Sequence, residues 1–385
     1  MLLDRLRTAL RTMFPHSQTR HRPASRPVTH PRRPRRRLLR LESLDDRCLL
    51  AAVADLVAYR PVNPYINYAQ HPVAESVESD PVQGPGIRIN GDDDNLNRRA
   101  DYLDTTTSAS GDNDLVRVDV RGTGTTFTVS WTGPLQVWTS ATKSAPVANG
   151  AAVSATQSLW VEYASLTHTT GNSTTMTLSV AEPATSTSAT DQLVFHSFQS
   201  EVIVLGGNSQ EPRNVGTAGL GVFDIGVSLY DRGYDVQLFA HNQVSSNGRG
   251  AAYDEVSSAV LQRNVDNIAI IGYSWGGGAT YELAAGLASN TALAAAGYRL
   301  QYTAYIDAIR HYSLSSETRF PTLSKYHDNF YQRKDWLLKG NAVTGANNVN
   351  ATATSWGSTL VHTTLDDSLV LRSLLIGGLT ARVVT

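Results

Sequence analysis

Thiols are almost absent from this chain: its 385 residues include a single cysteine, Cys48. A disulfide framework and a thiolate metal site are therefore excluded, and removal of the N-terminal segment that holds Cys48 would exclude a cysteine nucleophile too. Long apolar runs are also missing. Apolar residues make up 41% of the chain, enough for a sizeable core. None of their runs approaches the ~20 residues of a membrane-spanning helix, so no transmembrane segment is expected. Basic residues are scarce beyond the first fifty positions. Residues 1–50 hold 13 Arg, no Lys and four acids, which leaves 20 basic against 30 acidic side chains in residues 51–385, a net of −10. That acidic remainder lacks the basic stripe of a nucleic-acid binder, so no nucleic-acid partner is expected.

Residues 1–54 read as a basic targeting leader. Arg32, Arg33, Arg35, Arg36, Arg37 and Arg40 precede the short apolar run Leu49-Leu50-Ala51-Ala52-Val53-Ala54, which ends in an A-x-A cleavage pattern. The run Leu41-Glu42-Ser43-Leu44-Asp45-Asp46-Arg47-Cys48-Leu49-Leu50 resembles a leader motif of large secreted and surface proteins of some bacteria, which implies a secreted or cell-surface location. Residues 55–90, rich in proline, read as a linker. In residues 91–104, oxygen side chains at Asp93, Asn95, Asn97, Asp101 and Asp104 resemble the calcium loops of thrombospondin type 3 repeats. Ca²⁺ favours several oxygen ligands from one short loop. Arg98 stands where such loops carry glycine, and two ligand positions are neutral Asn, so any structural calcium would bind weakly.

Residues 105–181 alternate with period two: Val116, Val118 and Val120, then Phe127, Val129 and Trp131, then Leu159, Val161 and Tyr163, then Met176, Leu178 and Val180. This pattern predicts a small antiparallel β-sandwich. A polar stretch, residues 182–190, reads as a second linker. Over residues 191–385 the pattern changes. Short apolar runs at Val202-Ile203-Val204-Leu205, Val236-Gln237-Leu238-Phe239, Ile268-Ala269-Ile270-Ile271 and Tyr302-Thr303-Ala304-Tyr305-Ile306 alternate with helical spacing. The expectation is an α/β class: a mostly parallel sheet with helices on both faces, preceded by the sandwich.

Ile271 runs directly into Gly272-Tyr273-Ser274-Trp275-Gly276, a G-x-S-x-G turn between an apolar strand and a small-residue helix. A sharp turn of this kind exposes a serine hydroxyl, and glycines two residues to either side let the backbones approach. A serine nucleophile needs a base, and the base an orienting acid. Asp307 ends the next apolar strand and suits the acid. Of the downstream histidines, His311 lies too close to Asp307 in the chain, while His362 sits in a loop just before a terminal helical pattern and suits the base. His327 remains the alternative.

With these residues in view, residues 191–385 resemble the lipase/esterase branch of the α/β-hydrolase superfamily. The strand–Gly206-Gly207 loop, the elbow at Ser274, Asp307 and His362 carry the likeness, helped by Asn329-Phe330-Tyr331-Gln332 and Leu338-Lys339-Gly340. The resemblance implies hydrolysis of a small-molecule or lipid ester through an acyl-enzyme. Ser274 would be nucleophile, His362 base and Asp307 orienting acid, with no cofactor required. It also implies an oxyanion hole built from the backbone N–H of Trp275 and of Asn208 or Gly207. Tyr312, Phe320, Tyr326, Phe330, Tyr331 and Trp336 could wall an acyl pocket. Competing readings are a surface or adhesion protein with an inactive hydrolase-like domain, or a thioesterase or peptidase.

Overall fold

The computed structural model describes residues 52–63, 65–74, 87–89, 115–163, 173–182, 186–212 and 221–384. Their N-terminal part is a pair of sheets. β1 (Val53–Ala58), β3 (Val116–Thr123), β7 (Ser158–Tyr163) and β5 (Leu135–Trp138) form one, in that order. β2 (Ile87–Ile89), β9 (Thr187–Ser197), β8 (Ser173–Glu182), β4 (Thr126–Trp131) and β6 (Ala151–Val153) form the other. All of these pairs are antiparallel except β2 with β9. The alternation explains the packing: Val116, Val118 and Val120 from one sheet meet Val129, Met176, Leu178 and Phe195 from the other in a shared core.

The C-terminal part holds a six-stranded sheet, wholly parallel. It comprises β10 (Ser200–Gly206), β11 (Asp235–Ala240), β12 (Asn267–Tyr273), β13 (Arg299–Ile306), β14 (Tyr326–Tyr331) and β15 (Asn347–Asn350), ordered β11-β10-β12-β13-β14-β15. Successive residues of β10 face opposite ways. Val202 and Val204 pack with Val222, Phe223 and Leu229 of α1 (Gly221–Tyr230). Ile203 and Leu205 pack with Val256 and Ala259 of α2 (Ala251–Leu261) and Leu283 of α3 (Trp275–Ala288). α4 (Thr291–Ala296) adds Leu293 to this second cluster. Near the C-terminus, α5 (His362–Leu365) is followed by α6 (Leu369–Thr380), whose Leu371, Leu375 and Leu379 join the first cluster.

This architecture corrects the expected class. Nine of the fifteen described strands belong to the two largely antiparallel sheets. The chain is therefore not an α/β protein with a minor sandwich attached. Nor do helices cover both faces of the whole parallel sheet. Parallel strands need crossovers, usually helical, yet residues 307–325 and 332–346, which link β13, β14 and β15, contain no helix. There Val343 and Phe320 of the loops pack on Tyr305 where a helix was expected.

The structure also differs from the expected boundaries. β1 begins at Val53, inside the stretch read as leader, and continues into the stretch read as linker. The polar stretch at 182–190 instead runs into β9, whose ten-residue pairing with β8 forms a hairpin arm. Beyond β1, the chain docks on the parallel-sheet part: Asn63 Nδ2 donates to Val236 O at 2.7 Å, and Tyr230 Oη donates to Pro61 O at 2.6 Å. The acidic loop with Asp93, Asn95, Asn97, Asp101 and Asp104 lies outside the described residues. Among the described residues no group of three or more His, Cys, Asp or Glu could hold a metal, and no helix is long and apolar enough to cross a membrane.

At the amino ends of β10 and β11 lies a buried ionic cluster. Arg263 Nη2 stands 2.6 Å from Glu255 Oε1, 3.5 Å from Glu201 Oε1 and 3.9 Å from Asp235 Oδ2. Burial first, and then the Glu255 charge, push the Glu201 carboxyl well above its ordinary range. The shift disfavours the Glu201 anion, so a neutral amide of the same shape is its nearest substitute. Glu201→Gln is expected to leave stability nearly unchanged. Arg263→Met should cost about 3–5 kcal/mol, because it strands buried carboxylates. Urea denaturation of the two variants checks both.

Candidate active site

The first strand of the parallel sheet, β10, sends its connection to β11 on one side, whereas β12 pairs on the other. The carboxyl ends of β10 and β12 therefore flank a point where chain direction switches, the place where open parallel sheets leave a crevice for a ligand. Ser274 occupies it, between β12 and α3, with φ 53 and ψ −121. That conformation is strained for a side chain with a Cβ and persists only because the surroundings hold it. Ser274 N donates to Ile306 O at 3.0 Å, and Ile309 N donates to Ser274 O at 2.9 Å. Gly272 and Gly276 are dictated by close approach: a Cβ at Gly272 would strike the Gly276 carbonyl, and one at Gly276 the Leu205 carbonyl.

Three side chains lie in line. Ser274 Oγ is 2.8 Å from His362 Nε2, and His362 Nδ1 is 2.7 Å from Asp307 Oδ2. An acceptor at Nδ1 requires the proton there, which leaves Nε2 to accept from the serine hydroxyl. All three residues are buried, Asp307 completely. Asp307 follows β13 with φ 45, which turns its carboxylate back toward the site. The buried charge is met on every side: Oδ1 accepts from Gln332 N at 3.1 Å and Gly340 N at 2.6 Å, and Oδ2 accepts from Gln332 Nε2 at 2.8 Å as well as from His362. His362 opens α5 and is braced by Tyr273, whose ring stacks on the imidazole at 5.3 Å and whose Oη donates to His362 O at 2.7 Å.

The structure brings Ser274, Asp307 and His362 together and leaves the other histidines elsewhere. His327 Nδ1 pairs with Thr303 Oγ1 at 2.8 Å, with the ring against Tyr305 and Phe320. Burial lowers its pKa to about 4. His311 Nε2 lies 3.2 Å from His241 Nδ1, and both imidazoles are likewise lowered to about 4 by burial. With exposed Tyr312 and with Trp275, which follows Ser274 in the chain, they form a cluster of rings. Of the aromatics expected to wall a pocket, Phe330 is instead buried in the sheet core, and Trp336 is exposed.

Trp275, the residue after Ser274, opens α3, so its N–H is one of the donors a helix start leaves without an intrahelical partner. On the other side, Gly207 N–H donates to Gln210 Oε1 at 2.8 Å. That amide is committed within its own turn, and the next residue, Asn208, is exposed.

Sequence reasoning missed the residues that hold this constellation: Gln332, Gly340, Tyr273, Gln210 and Asp366. Gln332 and Gly340 stood in runs already noted, but only the path of the 332–340 loop reveals their role. Asp366, one helical turn beyond His362, is 1% exposed. Burial pushes its carboxyl up to about 7, against the hydrogen bond from Gln210. A carboxyl raised in this way contributes stability that is complete below the ordinary carboxylate range, ~4, and is lost as pH rises through about 7. Asp366→Asn should therefore flatten the fall in stability between about pH 4 and about pH 8 relative to wild type. Urea midpoints measured across that range check it. Compared with known families and curated proteins, the chain matches no family model and no curated sequence.

Proposed function

We propose that this chain is a serine hydrolase that cleaves carboxylic esters through an acyl-enzyme. The observation that carries the reading is the unbroken hydrogen-bonded line from Ser274 Oγ through His362 to the Asp307 carboxylate. Attack of Oγ on the ester carbonyl forms the new C–O bond while the hydroxyl proton passes to His362 Nε2. The tetrahedral oxyanion would be met by the backbone N–H groups of Trp275 and Asn208. As the alcohol leaves, His362 returns that proton to it. Water then repeats the sequence on the acyl-enzyme, with His362 as base, and frees the acid. Asp307 accepts from Nδ1–H and holds the imidazole in the tautomer that both steps need. The chemistry calls on no cofactor. The arginine-rich leader and its apolar run support an extracytoplasmic location.

Hydrolysis of p-nitrophenyl esters of graded acyl length tests the reading. Ser274→Ala should fold yet lose about 10⁴-fold or more in kcat, and His362→Ala nearly as much, because triad members act as a unit. His327→Ala should lose stability to the cavity it leaves but retain turnover per folded molecule. A Ser274→Ala chain keeping a tenth of wild-type activity, or a dead but folded His327→Ala chain, would sink the assignment.

A further inference from the structure

The turn after β10 lies against the nucleophile: a Cβ added at Gly207 would stand 3.1 Å from the Cβ of Ser274. Two bonds close the turn on itself. Gln210 N donates to Gly207 O at 3.1 Å, with Ser209 at φ 66 between them, and Gln210 Oε1 accepts from Gly207 N at 2.8 Å. A third bond ties it to the base-bearing segment: Gln210 Nε2 donates to Asp366 Oδ2 at 3.0 Å. Asp366 is buried four residues beyond His362. A carboxyl in that position carries a desolvation penalty that an apolar side chain of similar size would avoid. Its rise to about 7 is the mark of that penalty. What the carboxyl supplies is an acceptor for the Gln210 amide.

We propose that Gln210 and Asp366 are positioning residues of the hydrolytic reaction: they clamp the Gly207–Asn208 turn so that Asn208 N–H, rather than Gly207 N–H, meets the developing oxyanion beside Trp275 N–H. This inference rests on the ester-hydrolase reading. The clamp uses up the Gly207 amide and fixes the peptide that follows it. A donor displaced by ~1 Å loses most of its effect on a transition state. Because Asp366 shares a short segment with His362, the same contact keeps the turn in register with the base. The oxyanion exists only after attack, so the clamp acts on kcat and leaves ground-state binding alone.

The test uses the full chain and p-nitrophenyl butyrate. Gln210→Leu and Asp366→Leu should each lower kcat about 10–100-fold, part of the loss seen when an oxyanion donor is removed, with KM within about twofold of wild type. Asp366→Asn keeps an oxygen that can accept from Gln210 Nε2 and should recover most of the kcat lost in Asp366→Leu. Amide hydrogen exchange of the peptide spanning residues 206–210 should quicken in both leucine variants and less in Asp366→Asn. Faster exchange with unchanged kcat, or a loss carried by KM, would overturn the clamp. A wild-type chain with no esterase activity would overturn the hydrolase reading itself, and the parent would fail before any variant was compared.

Discussion

A buried carboxylate organises the site. Asp307 has no exposed surface, and a charge in that position is tolerated only when donors surround it. Its four donors come from two stretches of chain: the backbone and side chain of Gln332 and the backbone of Gly340, both in the loop after β14, and the imidazole of His362. Satisfying this one group therefore dictates the course of residues 332–340 and the approach of the C-terminal segment. Gln332 is held in turn, its Oε1 accepting from Lys334 N and Asp335 N and its Nε2 also donating to Leu338 O. The helix-free crossover after β14 follows from this: the loop serves the carboxylate, and a regular helix there would carry Gly340 N away from it.

The parallel sheet separates two kinds of buried charge. At the carboxyl ends of its strands the Asp307 carboxyl pairs with an imidazole whose other nitrogen lies 2.8 Å from Ser274 Oγ. At the amino ends Arg263 sits among Glu201, Glu255 and Asp235. Rigidity at the second end supports geometry at the first, since β10 and β12 run in register from Ser200 and Asn267 to the turn at Gly206 and the elbow at Ser274. The segment after β1 adds to this support, because Asn63 and Pro61 hydrogen-bond to β11 and α1. That segment thus hydrogen-bonds on both sides, through Val62 N to Leu115 O next to the sandwich and through Asn63 to the parallel sheet.

How much of this could be read from the residues follows from the range of the forces involved. Gly272, Ser274 and Gly276 announce themselves because their spacing forms one short turn, in which Gly272 meets the Gly276 carbonyl, even though Gly276 itself meets the distant Leu205. Asp307 and His362 can be picked out by their places, one at a strand end and the other before a terminal helix. Gln332, Gly340, Gln210 and Asp366 cannot, since their partners lie tens to more than a hundred residues away and nothing in their neighbours' spacing points across. β9 hid for a related reason. Its first half, Thr187-Ser188-Ala189-Thr190-Asp191-Gln192, is polar, and only ten-residue pairing with β8 makes it a strand. The expected α/β class went wrong where helical crossovers were assumed for parallel strands that loops in fact connect.

The central claim is that Ser274 is an activated nucleophile. The most direct measurement is a fluorophosphonate labelling of the native chain followed by peptide mapping. The account predicts one adduct, on Ser274 Oγ, formed by the folded protein and abolished by denaturation, and formed much more slowly once Asp307→Asn removes the tautomer-fixing acceptor. No adduct on the folded chain, or an adduct at another residue with Ser274 unmodified, would contradict it.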